Sequence, residues 1–205
     1  MEQILNFGNS RTRSEKEDFV VASLAIGIAF SIAFSRIESN LTSTEFLSIF
    51  LPTGMIAGVS GFALHELAHR QVSLRYGYNA RFRMWPIGIL FALITSVFGF
   101  IIALPGATEV YNVYDKNIYG KISAAGPLTN IVMGLALVTL ASFSTGNLNF
   151  IFSVAGAINF FLAFFNLLPI PPLDGYKVLV WDFSIYAVIF AVSLVLLIVF
   201  GMGFF

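Results

Sequence analysis

The 205 residues contain two histidines, and both fall in one pentad, His65-Glu66-Leu67-Ala68-His69. On an α-helix, residues four apart share one face, so both imidazoles can reach a single metal ion. Glu66 then projects beside them, within reach of a water on that metal. The chemistry this spacing points to is metal-assisted hydrolysis. The pentad closes a long apolar run, and two imidazoles and a carboxylate are expensive to hold at the end of a membrane helix. That cost makes a functional site the default reading. The plainer reading, polar residues marking a helix end at the interface, accounts for their position but not for their spacing.

A catalytic zinc takes three protein ligands and keeps a fourth position open. The chain has no cysteine and no third histidine, so the third ligand has to be a carboxylate. Asp174 leads, because it ends the stretch Asn166-Leu167-Leu168-Pro169-Ile170-Pro171-Pro172-Leu173-Asp174-Gly175. Three prolines there remove helical hydrogen bonds, and a broken helix at membrane depth is tolerated chiefly where it lines a protected cavity. Asp182, Glu109 and Asp115 are the other candidates, each also readable as a solvated charge at the interface.

The elements that must position these residues are membrane helices. The composition is 58% hydrophobic, 16% aromatic and 11% charged, too apolar for a water-soluble domain and fitting for a polytopic membrane protein in a lipid bilayer. A formal net charge of zero, with no basic block beyond Arg11, Arg13 and Lys16, excludes nucleic acid as an expected partner. Residues 1–18 carry charges of both signs and read as a polar cytoplasmic tail in place of a signal peptide, leaving 19–205 as a single integral membrane domain. Apolar runs from Phe19 to Phe34, Phe46 to Leu64, Ile122 to Ser142, Phe150 to Leu168 and Phe183 to Phe205 approach the roughly 20 residues that cross a bilayer.

The run from 87 to 104 either crosses or turns back. If it turns back, every positive loop residue except Arg36 collects on one face, as the positive-inside rule favours. The helices ending near His69 and near Leu168 then finish on the same side, and Asp174 can reach the histidines. Arg81-Phe82-Arg83-Met84-Trp85 alternates with period two and reads as a strand at the membrane edge leading into a hairpin; the alternative is an interfacial anchor for a sixth helix. The expected fold is an all-α polytopic membrane protein of about five to six transmembrane helices, with a small membrane-associated, re-entrant β element after the pentad helix.

Three motifs in order, the pentad, Gly126-Pro127-Leu128-Thr129-Asn130, and Asn166 through Gly175, resemble the site-2 protease family of intramembrane zinc metalloproteases. The resemblance implies a catalytic core of three helices, one zinc ion per chain held by His65, His69 and Asp174, and a membrane-protein substrate cut in or near its transmembrane segment. It implies a minimal form, since no soluble stretch here is long enough for a PDZ-like or CBS-like domain. Glu66 then takes a proton from the attacking water and returns it to the leaving amine. Asn166, matching the family asparagine eight residues before the ligand aspartate, is expected to donate to the developing oxyanion; its bland role is to steady the broken helix. Asn130 reads as either a catalytic neighbour or a polar contact across a helix interface, and the glycines from Gly120 to Gly126 as packing residues. An unwound substrate could add as a strand beside Arg81 to Trp85. Outside this class stand a non-catalytic scaffold or pseudoprotease, which would be expected to lack Glu66 or a ligand, and a metal-ion transporter, which would show polar residues along a path. Membrane endopeptidases with a glutamate third ligand give no reason for the proline-rich stretch. Nothing in the sequence fixes an oligomeric state.

Overall fold

A computed structural model describes residues 14–36 and 40–201. Most of the polar tail, with Arg11 and Arg13, and the last four residues of the final apolar run lie outside the described residues.

Helix α1, Glu15–Ser35, starts earlier than the apolar run because Ser14 and Glu17 cap it reciprocally: Ser14 Oγ accepts from Glu17 N (3.2 Å) and Glu17 Oε2 from Ser14 N (2.9 Å). Glu15, Glu17 and Asp18 in its first turn complement the helix dipole. Helix α2 is continuous over Ser43–Arg75, so the pentad lies within it and not at its end. Two wider, π-type turns interrupt it, at Phe46–Phe50 and at Val59–Ala63, the second just ahead of His65. Small residues let α1 and α2 cross closely: a methyl group on Gly58 would sit 2.7 Å from the Gly27 Cα, and the Ser31 hydroxyl donates to Gly27 O at 2.8 Å and Leu51 O at 3.3 Å.

After α2 the chain forms β1, Ala80–Met84, then helix α3, Pro86–Ser96, and β2, Gly106–Val110. The strands are antiparallel, with Ala80 opposite Val110 and Met84 opposite Gly106. Arg81 and Arg83 face outward, while Phe82 is buried edge-on against Phe19 and Phe62. Because Met84 and Gly106 are paired, the intervening run leaves the sheet and comes back to it. The expected hairpin is half helical. Pro86, read from sequence as loop punctuation, instead occupies the first turn of α3, where its missing N–H costs nothing. The return limb is neither helix nor strand and lies beside α1 through Ile101 and Ala103, with Gly99 at the tip next to the Arg36 side chain at the far end of that helix. Gly88 allows the two limbs to touch, since a Cβ there would strike Leu104 O.

Helix α4, Lys116–Ser142, α5, Gly146–Asn166, the short α6, Asp174–Trp181, and α7, Phe183–Phe200, complete the fold. Helix α4 packs along α5 and against α2 and α6, and α5 against α7. Ala124, Ile131, Ala163, Leu167, Val178 and Ile189 form the core where α4 to α7 meet. Five helices, α1, α2, α4, α5 and α7, are long and apolar enough to cross a membrane, which together with the small sheet matches the expected class. The side alternatives for a third ligand have structural work: Asp115 caps α4 through Asn117 N (2.8 Å), Asp182 caps α7 through Ile185 N (2.9 Å), and Glu109 accepts from Tyr111 Oη (2.6 Å).

Candidate metal centre

His65 and His69 sit one turn apart on α2 as their spacing requires, and the break between α5 and α6 delivers Asp174 to them. Helix α5 stops at Asn166, the proline-bearing segment turns the chain, and Asp174 opens α6. Gly175 permits that approach, because a side chain there would collide with the Leu167 carbonyl at the end of α5. His65 Nε2 and His69 Nε2 are 3.0 Å apart, and Asp174 Oδ2 is 3.0 Å from His69 Nε2 and 3.3 Å from His65 Nε2. All three residues are buried. Four ligands set tetrahedrally around zinc at about 2.05 Å would stand roughly 3.3 Å apart, so this triangle of donors fits the ion closely.

The surroundings fix two of the three donors, His69 and Asp174. His69 Nδ1 lies 2.7 Å from Ile122 O on α4, which can only accept, so Nδ1 carries the proton and Nε2 turns its lone pair inward. Lys177 Nζ donates to Asp174 Oδ1 at 3.0 Å, leaving Oδ2 for the histidines. Burial disfavours the charged Asp174 carboxylate, and the Lys177 ammonium beside it favours the charged form. Burial likewise pushes the Lys177 ammonium down, and Asp174 more than offsets this, so the pair stays ionised. Lys177 also lies over the Tyr119 ring of α4, 5.9 Å from its centroid. Gly126 of α4 faces both imidazoles, and a Cβ at that position would strike His65 Nε2 and His69 Nε2. The reading of Gly126 as a packing residue therefore understates it: the packing it permits is against the metal ligands themselves.

Glu66 is buried at 9% exposure and accepts from Thr108 N of β2 through Oε2 (2.7 Å), while Thr108 Oγ1 donates to the Glu66 main-chain oxygen (3.1 Å). Asn166 is not drawn into this cluster; its Nδ2 donates to Leu162 O of its own helix at 3.0 Å. Asn130, one turn along α4 from Gly126 on the same face, is fully buried, and neither side-chain atom has a hydrogen-bond partner among the described residues. It does not make the cross-helix bond that sequence offered as its plainer role. His65 Nδ1 is likewise buried without a partner among them. Sequence reasoning missed Lys177 and Thr108. The first carried a local signal, three residues after Asp174 on one helix face; the second carried none.

The chain is similar to known proteins along most of its length. The model of a family described as peptidase family M50 matches residues 18–200. A candidate zinc metalloprotease of Methanocaldococcus jannaschii is 38% identical over 178 residues, 84% of this chain and 86% of that protein. A candidate zinc metalloprotease of Bacillus subtilis is 29% identical over 63% of this chain and 68% of its own length. A further zinc metalloprotease of Methanocaldococcus jannaschii is 27% identical over 73% of this chain, which spans 43% of it. No solved structure matches the chain.

Proposed function

The chain belongs to peptidase family M50, and we propose that it is a zinc-dependent endopeptidase that cleaves peptide bonds in or near the transmembrane segments of other membrane proteins. The observation that carries this reading is the convergence of His65 Nε2, His69 Nε2 and Asp174 Oδ2 beside Glu66, all buried on helices of a membrane protein. Zinc held by those three atoms would lower the pKa of a water and polarise the scissile carbonyl. Ile122 O keeps His69 in the tautomer that can ligate, and Lys177 keeps Asp174 from offering both oxygens. Glu66 Oε2 is engaged by Thr108 N–H, so Oε1 is the oxygen that takes the proton from water and passes it to the leaving amine.

A transmembrane helix hides its own peptide bonds, so the segment to be cut must unwind. The strand beside which it lies is β2, whose outward edge meets the pentad helix at Glu66, whereas β1 packs against α1. The end of the molecule that carries the site also carries Lys16, Arg70, Arg75, Arg81, Arg83, Lys116, Lys121 and Lys177, against Arg36 alone at the opposite end among the described residues. That asymmetry supports a cytoplasmic site and N-terminus in a cell membrane.

A scaffold descended from the fold would be expected to have lost Glu66 or a ligand, and a transporter would spread its polar residues along a path; the compact cluster favours neither. The deciding experiment uses purified protein reconstituted with a candidate membrane substrate. Wild type and Glu66→Gln should both retain one zinc per chain, while cleavage falls about a thousandfold in the variant. Normal turnover by Glu66→Gln would remove the assigned mechanism.

A further inference from the structure

A two-stranded sheet is marginal on its own, so its position depends on what grips its edges. Phe82 and Thr108 are opposite one another in β1 and β2. Trp85 N donates to Pro105 O and Tyr111 N to Asn79 O, both at 3.0 Å, so odd-numbered residues of β1 and their partners make the ladder. Phe82 and Thr108 are thus a non-hydrogen-bonded pair whose amides point away from the sheet on opposite sides. Each meets a glutamate: Phe82 N donates to Glu15 Oε1 at 3.1 Å, and Thr108 N to Glu66 Oε2 at 2.7 Å. Arg70, one turn beyond Glu66 on α2, donates from Nε to that same Glu15 oxygen at 3.0 Å. The contacts close a ring running Glu66, Thr108, Phe82, Glu15, Arg70 and back along α2 to Glu66.

We propose that Glu15 and Arg70 are a positioning pair for the proteolytic site: without touching substrate, they set where the sheet rests on α2, and through Thr108 they orient the Glu66 carboxylate. The proposal rests on the reading of Glu66 as the proton-transferring group. An ordinary surface ion pair contributes little, and Arg70 and Glu15 have side chains 37% and 28% exposed. What sets this pair apart is that one oxygen serves both the guanidinium and the amide of a buried strand residue, at the register where the opposite strand holds Glu66.

The first measurement is hydrogen exchange on the zinc-loaded full chain in nanodiscs, which needs no substrate. Glu15→Ala and Arg70→Ala should each speed exchange in residues 106–110, to which neither side chain is hydrogen-bonded among the described residues, by about fivefold, and the double variant no more than either single. Unchanged exchange there, or effects that simply add, would overturn the ring. The second is steady-state cleavage. Each single variant should lower kcat about fivefold with zinc content and KM unchanged, and Glu15→Gln, which keeps an oxygen for the Phe82 amide, should lose less than Glu15→Ala. Faster exchange with an unaltered kcat would overturn the positioning role. Faster exchange together with wild-type turnover by Glu66→Gln would instead leave the ring standing and remove the assigned proton transfer.

Discussion

At the level of single residues, the tightest constraint on the site falls on a position with no side chain. A methyl group at Gly126 would strike both imidazole Nε2 atoms, so Gly126→Ala must push α4 away from α2 or turn a ligand. Zinc affinity measured by chelator competition is expected to fall at least tenfold, on the order of the 10–100-fold seen when a ligand's support is removed; wild-type affinity would mean that α4 yields without cost. His65, Glu66 and His69 were legible in the sequence because one turn of helix separates the ligands, and Asp174 because no other ligand type remained and prolines broke the helix before it. Thr108, Glu15 and Arg70 were not legible. Their contacts join residues 42 to 67 positions apart, and threonine, glutamate and arginine near a membrane surface are consistent with many roles. Asn166 was singled out by resemblance, and its amide here donates to its own helix.

Among the elements, β2 carries the sharpest expectation. Its outward N–H groups belong to Gly106, Thr108 and Val110, since the intervening residues make the ladder to β1. Val110→Pro removes one outward donor while sparing that ladder, and proline is tolerated on such an edge. If an unwound substrate pairs there, KM should rise about tenfold, the worth of roughly one hydrogen bond, with zinc content and Tm unchanged; an unaltered KM would exclude β2 as the docking strand. The period-two pattern at Arg81 to Trp85 revealed β1, but β2 was hidden, because Gly106-Ala107-Thr108-Glu109-Val110 is short and weakly patterned. The run between them was read as a hairpin turning back, without a conformation for its limbs, and its outgoing limb is the helix Pro86–Ser96. Apolar side chains cover all faces of 87 to 104, which removes the periodicity that separates helix from strand, and Pro86 signals a helix start as readily as a loop.

For the whole molecule, the positive-charge asymmetry and the requirement that Asp174 meet the histidines pointed to one topology, and the fold satisfies both by bringing the start of α1, the end of α2, the sheet, and the starts of α4 and α6 to one end. The return limb has a further physical consequence. From Phe100 to Leu104 the backbone is neither helix nor ladder, and among the described residues only the Ile102 amide has a partner there, the Thr95 hydroxyl at 3.0 Å. Phe100, Ile102 and Leu104 are exposed, and where such a stretch meets lipid each bare polar group of the backbone costs several kcal/mol. The bilayer beside it should thin or admit water to solvate those groups, at a cost that grows with the natural thickness of the membrane. Cleavage rates in vesicles of increasing acyl-chain length should therefore decline while zinc content holds constant, and a rate indifferent to chain length would show the limb to be shielded. On this view the protein is a local defect in its own solvent, and the lipids chosen around it set part of its activity.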